Sequence, residues 1–491
     1  MSQRTLLFVL VGIVWVFPVM GQQNQDKVKR LDGSVITAAE IDTKVTRVMK
    51  AAEVPGMGLA ILNDGKIVYA KGYGLRDAEK HLPMTPETVM SAASFTKVAF
   101  GDMVMQLVDE GRLDLDKPVQ EYLPKPLPEY SKYGDLANDG RYKKITSRML
   151  MSHTSGFPNW RYFNQDGKLN IAFEPGSRFA YSGEGLVLLQ LVVETITGKP
   201  LGELMQQRVF QPFGMPRTSM VWQPPFDRDY ANGYDEYGRS LGPQRRETAD
   251  AAGSMLTTVE DFAKFLQAVL EAKGMKKQAQ QLMLSPQIAI LSKQEFPTSS
   301  TQTTDENKGI KLSYGLTWGL YWTPYGKAFF KEGHDNGHMN YAVCFEQKRN
   351  CMVMMTNSSN GEGMYKELLE SLQKNTFTPI EWEGFTPYNQ LPPRKPLKVR
   401  KETVVDSKIL QRYVGRYGVP PDLILVIRRE GDHLSIQEND EPKQELYAAS
   451  ETVFFSKLTD DEFTFELDAN GRVTQIVLRT DGKEIPIKPI L

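Results

Sequence analysis

Residues 91–100 read Ser-Ala-Ala-Ser-Phe-Thr-Lys-Val-Ala-Phe, and the apolar pattern that starts there runs through Gln106-Leu107-Val108 to a stop at Gly111. The pattern predicts a helix that begins at Ser94. Residues three apart share a helical face, so Ser94 and Lys97 stand side by side. Such a pair suits nucleophilic catalysis. A serine hydroxyl needs a base within hydrogen-bond reach, and a lysine serves when burial and neighbouring positive charge lower its pKa. The helix start adds the positive end of the helix dipole. An S-x-x-K tetrad alone says little, because Ser and Lys are common residues. The chain carries a second one, Ser371-Leu372-Gln373-Lys374, late in a polar helix, and that one reads as a solvated face.

Outward from Ser94, Asp42 to Ala52 reads as a helix. Met57 to Leu62 and Lys66 to Lys71 are strand runs around Asn63-Asp64-Gly65, a hairpin signal. Gly185 to Thr197, ended by Gly198, and Thr258 to Leu270 read as further helices, while Tyr314 to Trp322, Asn340 to Phe345 and Cys351 to Asn357 read as strands. Strands at both ends with helices between them predict a mixed α/β (α+β) domain built on an antiparallel sheet, spanning 22–376. Pro379, Pro387, Pro392, Pro393 and Pro396 mark a linker, drawn at 377–405. Beyond it, short strands separated by Glu430-Gly431-Asp432, Asn470-Gly471 and Asp481-Gly482 predict a small all-β barrel over 406–491.

The 491 residues suit two or three domains, and 41% hydrophobic with 24% charged residues is an ordinary globular balance. That excludes a disordered, collagen-like or multi-span membrane chain. Lys plus Arg is 59 against 60 for Asp plus Glu, so the basic excess that nucleic acid binding needs is absent. Five His and two Cys leave little material for a metal site, and neither metal-ligand spacing nor a phosphate-binding glycine loop occurs. No metal or other cofactor is expected. At the start, Arg4 and the apolar run Leu6 to Phe17, followed by Val19-Met20-Gly21, read as an export signal over 1–21, too short for a comfortable membrane span. The expectation is an exported protein, periplasmic or secreted, with no transmembrane span. In an oxidising compartment Cys344 and Cys351 read either as a pair bonded across a hairpin or as two buried small hydrophobes. Gly238-Arg239-Ser240-Leu241-Gly242 matches a G-x-S-x-G nucleophile elbow. Its polar flanks suit a hairpin loop instead.

The surroundings of Ser94 make the tetrad specific. Met57 to Pro124 (with MGLAILNDGKIVYAKGYGLRD, SAASFTKVAF and DEGRLDLDKPVQEYLP) resembles the serine β-lactamase-related family, which includes class C β-lactamases, D-Ala-D-Ala carboxypeptidases, D-stereospecific aminopeptidases and some esterases. The likeness continues through 150–158 (LMSHTSGFP), 179–185 (FAYSGEG), 212–215 (PFGM), 252–258 (AGSMLTT), 314–316 (YGL) and 333–337 (GHDNG), in one order over roughly residues 40–370. This resemblance implies a β-lactamase/penicillin-binding-protein-like antiparallel sheet flanked by helices, beside a helical lobe. More loosely, Tyr413-Val414-Gly415-Arg416-Tyr417 and the strands after it resemble the small lipocalin-like β-domains often attached to such hydrolases.

Carried over, the resemblance makes Ser94 the acylated nucleophile and Lys97 its base or proton relay. Tyr181 matches the tyrosine of a Y-x-N motif, placed to protonate the leaving group. His334 stands for the Lys or His of the third motif, and the N–H groups of Ser94 and Gly337 would form the oxyanion hole. The chemistry implied is acyl transfer through a serine ester. Two departures bear on substrate. Tyr181-Ser182-Gly183 lacks the Asn amide, and His334-Asp335-Asn336 has Asn where Gly is usual. Both count against efficient β-lactam hydrolysis, with Asn336 and Glu184 as candidates to replace the missing amide. The expected activity is hydrolysis of small amides or esters, including D-amino-acid peptides. A class C-like β-lactamase and a non-catalytic cell-wall-peptide or β-lactam sensor are the alternatives.

Overall fold

Helix α1 (Ala38–Ala51) opens on a capping box, in which Thr37 Oγ1 accepts from the Glu40 N–H and the Glu40 carboxylate accepts from the Thr37 N–H. Its buried stripe, Ile41, Val45, Val48 and Met49, lies on a sheet. Strand β1 (Gly56–Asn63) is buried along its whole length and turns through Asp64-Gly65, both at positive φ, into β2 (Lys66–Asp77). Helix α2 (Phe95–Asp109) is buried on every side from Phe95 to Leu107, as a largely apolar helix at the centre of a domain must be. Around it stand α3 (Gly183–Thr197), capped by Ser182 and closed by left-handed Gly198, and α4 (Val259–Glu271), capped by Thr258. Strands β3 (Gly319–Thr323), β4 (Gly326–Asp335), β5 (His338–Phe345) and β6 (Asn350–Thr356) complete the sheet. The computed structural model describes residues 26–490 apart from 165–166, 393–397, 420–422, 439–442 and 481; the expected export signal lies outside them.

The antiparallel order across the sheet is Ile288–Ala289, Ser313–Tyr314, β3, β4, β5, β6, β1, β2, Leu82–Pro83. On one face Phe329 and Trp318 share a core with Phe95, Phe100, Leu189 and Phe262 of the helices; the core on the other face holds Val45, Leu59, Tyr341, Tyr365 and Leu368. The pairing of β4 is unequal. It pairs with β5 along its length, from Ala328–Phe345 to Asp335–His338, but with β3 only from Gly326 to Phe330. Lys331 to Asp335 is therefore an open edge, and it faces the N-terminus of α2.

Cys344 and Cys351 are register partners across β5 and β6 and are bonded, so the structure adopts the paired alternative. The Pro-rich stretch is not a free linker from its start. Ile380, Trp382 and Phe385 are buried in the sheet's second core, because the residues between the prolines are large and apolar. The C-terminal unit is eight antiparallel strands in sequential order, from Gly415–Val419 to Lys483–Ile487. Its ends meet where Tyr417 bridges Pro489 and the Ile490 N–H donates to Arg416 O at 2.8 Å, which nearly closes a barrel around Tyr413, Leu425, Phe454 and Phe465. Arg239 donates to the Lys457 carbonyl across the two units, and a cavity of about 910 Å³ lies between them. Among the described residues no helix is long and apolar enough to cross a membrane, and no group of three or more His, Cys, Asp or Glu is placed to hold a metal ion.

Candidate active site

Ala93 adopts φ 46, and this turn sets Ser94 at the entry of α2. The entry is tied down from outside. The Ala92 N–H donates to Met255 O at 2.9 Å, and Thr96 Oγ1 accepts from the Met255 N–H at 3.0 Å. One turn on, the Lys97 ammonium is buried, with Nζ 2.9 Å from Ser94 Oγ and 2.6 Å from Ala252 O. Burial is the main force on its pKa, with Lys331 adding repulsion, and together they bring Lys97 down to about 7.

Tyr181 lies just ahead of α3, held by a backbone bond from Ala180 N–H to His153 O (2.8 Å) and by the Ser182 N–H donating to the His153 ring at Nδ1 (3.2 Å). Its ring sits 4.4 Å from the His153 ring and 5.6 Å from that of Phe296. Two ammonium groups approach its face, Lys97 at 5.0 Å and Lys331 at 4.7 Å. The Tyr181 hydroxyl accepts from Lys331 Nζ at 2.9 Å and is hydrogen-bonded to Ser94. Burial, then the Glu332 carboxylate, pushes the phenol well above its ordinary range, so it keeps its proton.

The structure thus brings Ser94, Lys97 and Tyr181 together, but the third-motif side chain beside Tyr181 is Lys331 rather than His334. Residues three apart on a strand point to opposite faces. His334 points away, with Nε2 3.6 Å from Glu362 and its ring 5.2 Å from Phe385. Lys331-Glu332-Gly333 has K-x-G spacing, the signal that sequence reasoning passed over. Its glycine is required, since a Cβ at Gly333 would lie 2.8 Å from Ala92 O. Lys331 is fully buried and paired with Glu332.

Gly337 is also corrected. It sits at φ 72 in the β4–β5 turn, where a Cβ would meet the Tyr234 nitrogen at 2.6 Å, and its N–H donates to Ser359 Oγ at 3.2 Å. That amide is engaged by the turn. Asn336 is exposed, its N–H on Asp335 Oδ1 and its carbonyl on Gln244 Nε2. Gly183 donates to Asn159, and a Cβ there would come 2.7 Å from the Trp160 ring, so Trp160 occupies the room a longer side chain would need. Glu184 is held by Arg161 through two bonds of 2.9 Å. Neither candidate supplies the absent amide. Ser240 belongs to a short hairpin, Gly233–Tyr234 with Ser240–Gly242, and not to a nucleophile elbow.

A family model described as beta-lactamase matches residues 41–373, and one described as a domain of unknown function (DUF3471) matches 399–489. Protein flp of Staphylococcus aureus (strain MRSA252) is 26% identical over 241 residues, 45% of this chain and 47% of that protein. Esterase EstB of Burkholderia gladioli is 30% identical over 227 residues, 40% of this chain and 56% of that one. The chain spans about half the length of the curated relatives it matches. Among solved structures, the octameric penicillin-binding protein homologue from Pyrococcus abyssi aligns with a TM-score of 0.57 at 23% identity, covering 92% of this chain and 100% of that one. The D-alanine carboxypeptidase AmpC from Burkholderia cenocepacia gives 0.53 at 20%, covering 65% and 93%. At these identities the structural likeness speaks to the fold.

Proposed function

Because this chain belongs to the beta-lactamase family and has its fold, we propose that it is an exported serine hydrolase that forms an acyl-enzyme on Ser94 and cleaves small amides or esters. The observation that carries this reading is the buried Lys97 Nζ, 2.9 Å from Ser94 Oγ; that burial brings its pKa down to about 7. Neutral Lys97 takes the Ser94 proton as Oγ attacks the substrate carbonyl. The oxyanion is held by the Ser94 N–H and, in place of Gly337, the His334 N–H. On β4, Lys327 O accepts from the Glu346 N–H on the β5 side, so Ala328 and Phe330 turn their backbone groups to β3 and His334, of the same parity, turns its N–H out of the open edge. Tyr181, protonated and pinned by Lys331, gives its proton to the leaving group and is replenished from Lys97. Water then attacks the ester carbonyl, its proton passes back through the same groups, and Ser94 is released.

D-amino-acid peptides and short acyl esters fit this machinery. Trp160 over Gly183 supports them over β-lactams, because the side chain that would meet a β-lactam amide has no room. The apolar run Leu6 to Phe17 and the Cys344–Cys351 bond support export. The test offers p-nitrophenyl acetate and a chromogenic cephalosporin separately, reading turnover and the intact mass of any adduct. Ester turnover with slow or no cephalosporin adduct is expected. Ser94→Ala should abolish both adduct and turnover, a loss of at least about a thousandfold. Fast cephalosporin turnover would make the protein a β-lactamase instead, and an inert Ser94 would make it a binding protein.

A further inference from the structure

Once the His334 N–H is an oxyanion donor, the side chains on either side of it become the walls of the cleft. Lys331 and Gly333 face Tyr181 and the start of α2. On the opposite face His334 meets Glu362, from the turn Gly361–Met364, and Phe385. The two walls differ in what they offer. Lys97, Tyr181 and Lys331 are buried, whereas the side chains of His334 and Glu362 keep 37% and 32% of their surface exposed. A substrate whose carbonyl oxygen sits on the His334 N–H therefore brings one flank within reach of this pair.

We propose that His334 and Glu362 form a specificity subsite that favours substrates carrying an ammonium or other cationic group beside the scissile bond and disfavours those carrying a carboxylate there. The proposal rests on the hydrolase reading given above. The distribution of charge around the cleft supports it. Lys331, the cation nearest to hand for an anionic substrate, is neutralised by its ion pair with Glu332. Lys97 is drawn into its bonds with Ser94 and Ala252. Desolvation, opposed by Glu332 and reinforced by Lys331, brings His334 down to about 4, so the imidazole is neutral and does not compensate an ionised Glu362. Burial brings Glu362 up to about 7, so a bound cation would favour its ionised form. An incoming carboxylate would meet the ionised form of Glu362 directly.

The experiment uses the whole chain and thioesters of similar size that have no amine to take up the acyl group: S-acetylthiocholine (cationic), S-(3,3-dimethylbutyl) thioacetate (neutral) and S-acetyl 3-mercaptopropionate (anionic), followed by thiol release. A second set carries the same three charges on the acyl side. The readout is the ratio of kcat/KM, cationic over anionic, within each protein, so differences in the amount of active protein cancel. We expect a ratio of about ten or more in one of the sets, collapse of that ratio in Glu362→Gln, and inversion in Glu362→Lys. Ratios near or below one in both sets, or a ratio that Glu362→Gln and Glu362→Lys leave unchanged, would overturn the subsite while the hydrolase reading stands. No turnover of any thioester or of p-nitrophenyl acetate would overturn both.

Discussion

At Lys97 a short distance and a missing solvent shell do the work that sequence spacing only announces. Burial penalises the ammonium, so its pKa falls from the ordinary lysine range near 10.5 to about 7, and the base form predominates above that value instead of above ten. The free-enzyme kcat/KM for p-nitrophenyl acetate should therefore rise as pH increases through about 7 and level off beyond it. A limb near 10 would mean that Lys97 stays charged and is not the base. Tyr181 is driven the other way, since burial penalises the phenolate, which is why it is assigned proton donation. Lys331 shows where residue-level reading fell short. Lys331 and His334 are both plausible partners for Tyr181 by type, and they lie three apart on one strand. Which of them faces the site depends on the phase of the pleat relative to α2, a relation between elements distant in the chain.

Between elements, the decisive feature is the length of β3. It stops pairing at Phe330 and so leaves the next turn of β4 open beside α2. Gly333 is the contact that lets β4 come this close. Gly333→Ala should cost about 1–3 kcal/mol by overpacking against the Ala92 carbonyl, and it should lower kcat/KM for p-nitrophenyl acetate by moving the open edge away from Ser94. A variant with unchanged activity would separate the edge from the oxyanion site. The β5–β6 hairpin offers a second test. The Cys344–Cys351 bond closes a short loop, sequence separation 7, so a double Cys→Ala variant should lose roughly 2–3 kcal/mol in denaturant unfolding. Acylation of Ser94 should persist, because neither cysteine touches the site. Local patterns made most of these elements legible: Asn63-Asp64-Gly65 for the first hairpin, Gly198 for the end of α3, the apolar run after Ser94 for α2. Proline spacing marks 377–385 as linker, whereas Ile380, Trp382 and Phe385 are buried there, because the sheet face they cover exists only in the folded chain.

Across the whole molecule, two cores share one sheet and a third fills the barrel. Cores that share few contacts need not melt together. Calorimetry should resolve a barrel transition from that of the sheet domain, and Lys331→Met should lower only the latter. That substitution strands Glu332 in the interior without its partner, at a cost of about 3–5 kcal/mol. A single transition shifted as one would show that the barrel and the sheet domain fold as one cooperative unit. Local sequence sufficed for whatever depends on neighbours in the chain. It marked the helices and hairpins, the pairing of Ser94 with Lys97 one turn on, and the division into a mixed domain and a small all-β one, while Tyr181 came from the family resemblance. Whatever depends on chain segments far apart came with folding: the lysine beside Tyr181, the engagement of the Gly337 amide by Ser359, the ring of Trp160 over Gly183, and the ion pair that removes Glu184 from the site. The physical reason is the same in each case. A hydrogen bond or a steric contact acts over a few ångströms, and for these groups the partners within that range lie as much as 150 residues away in sequence.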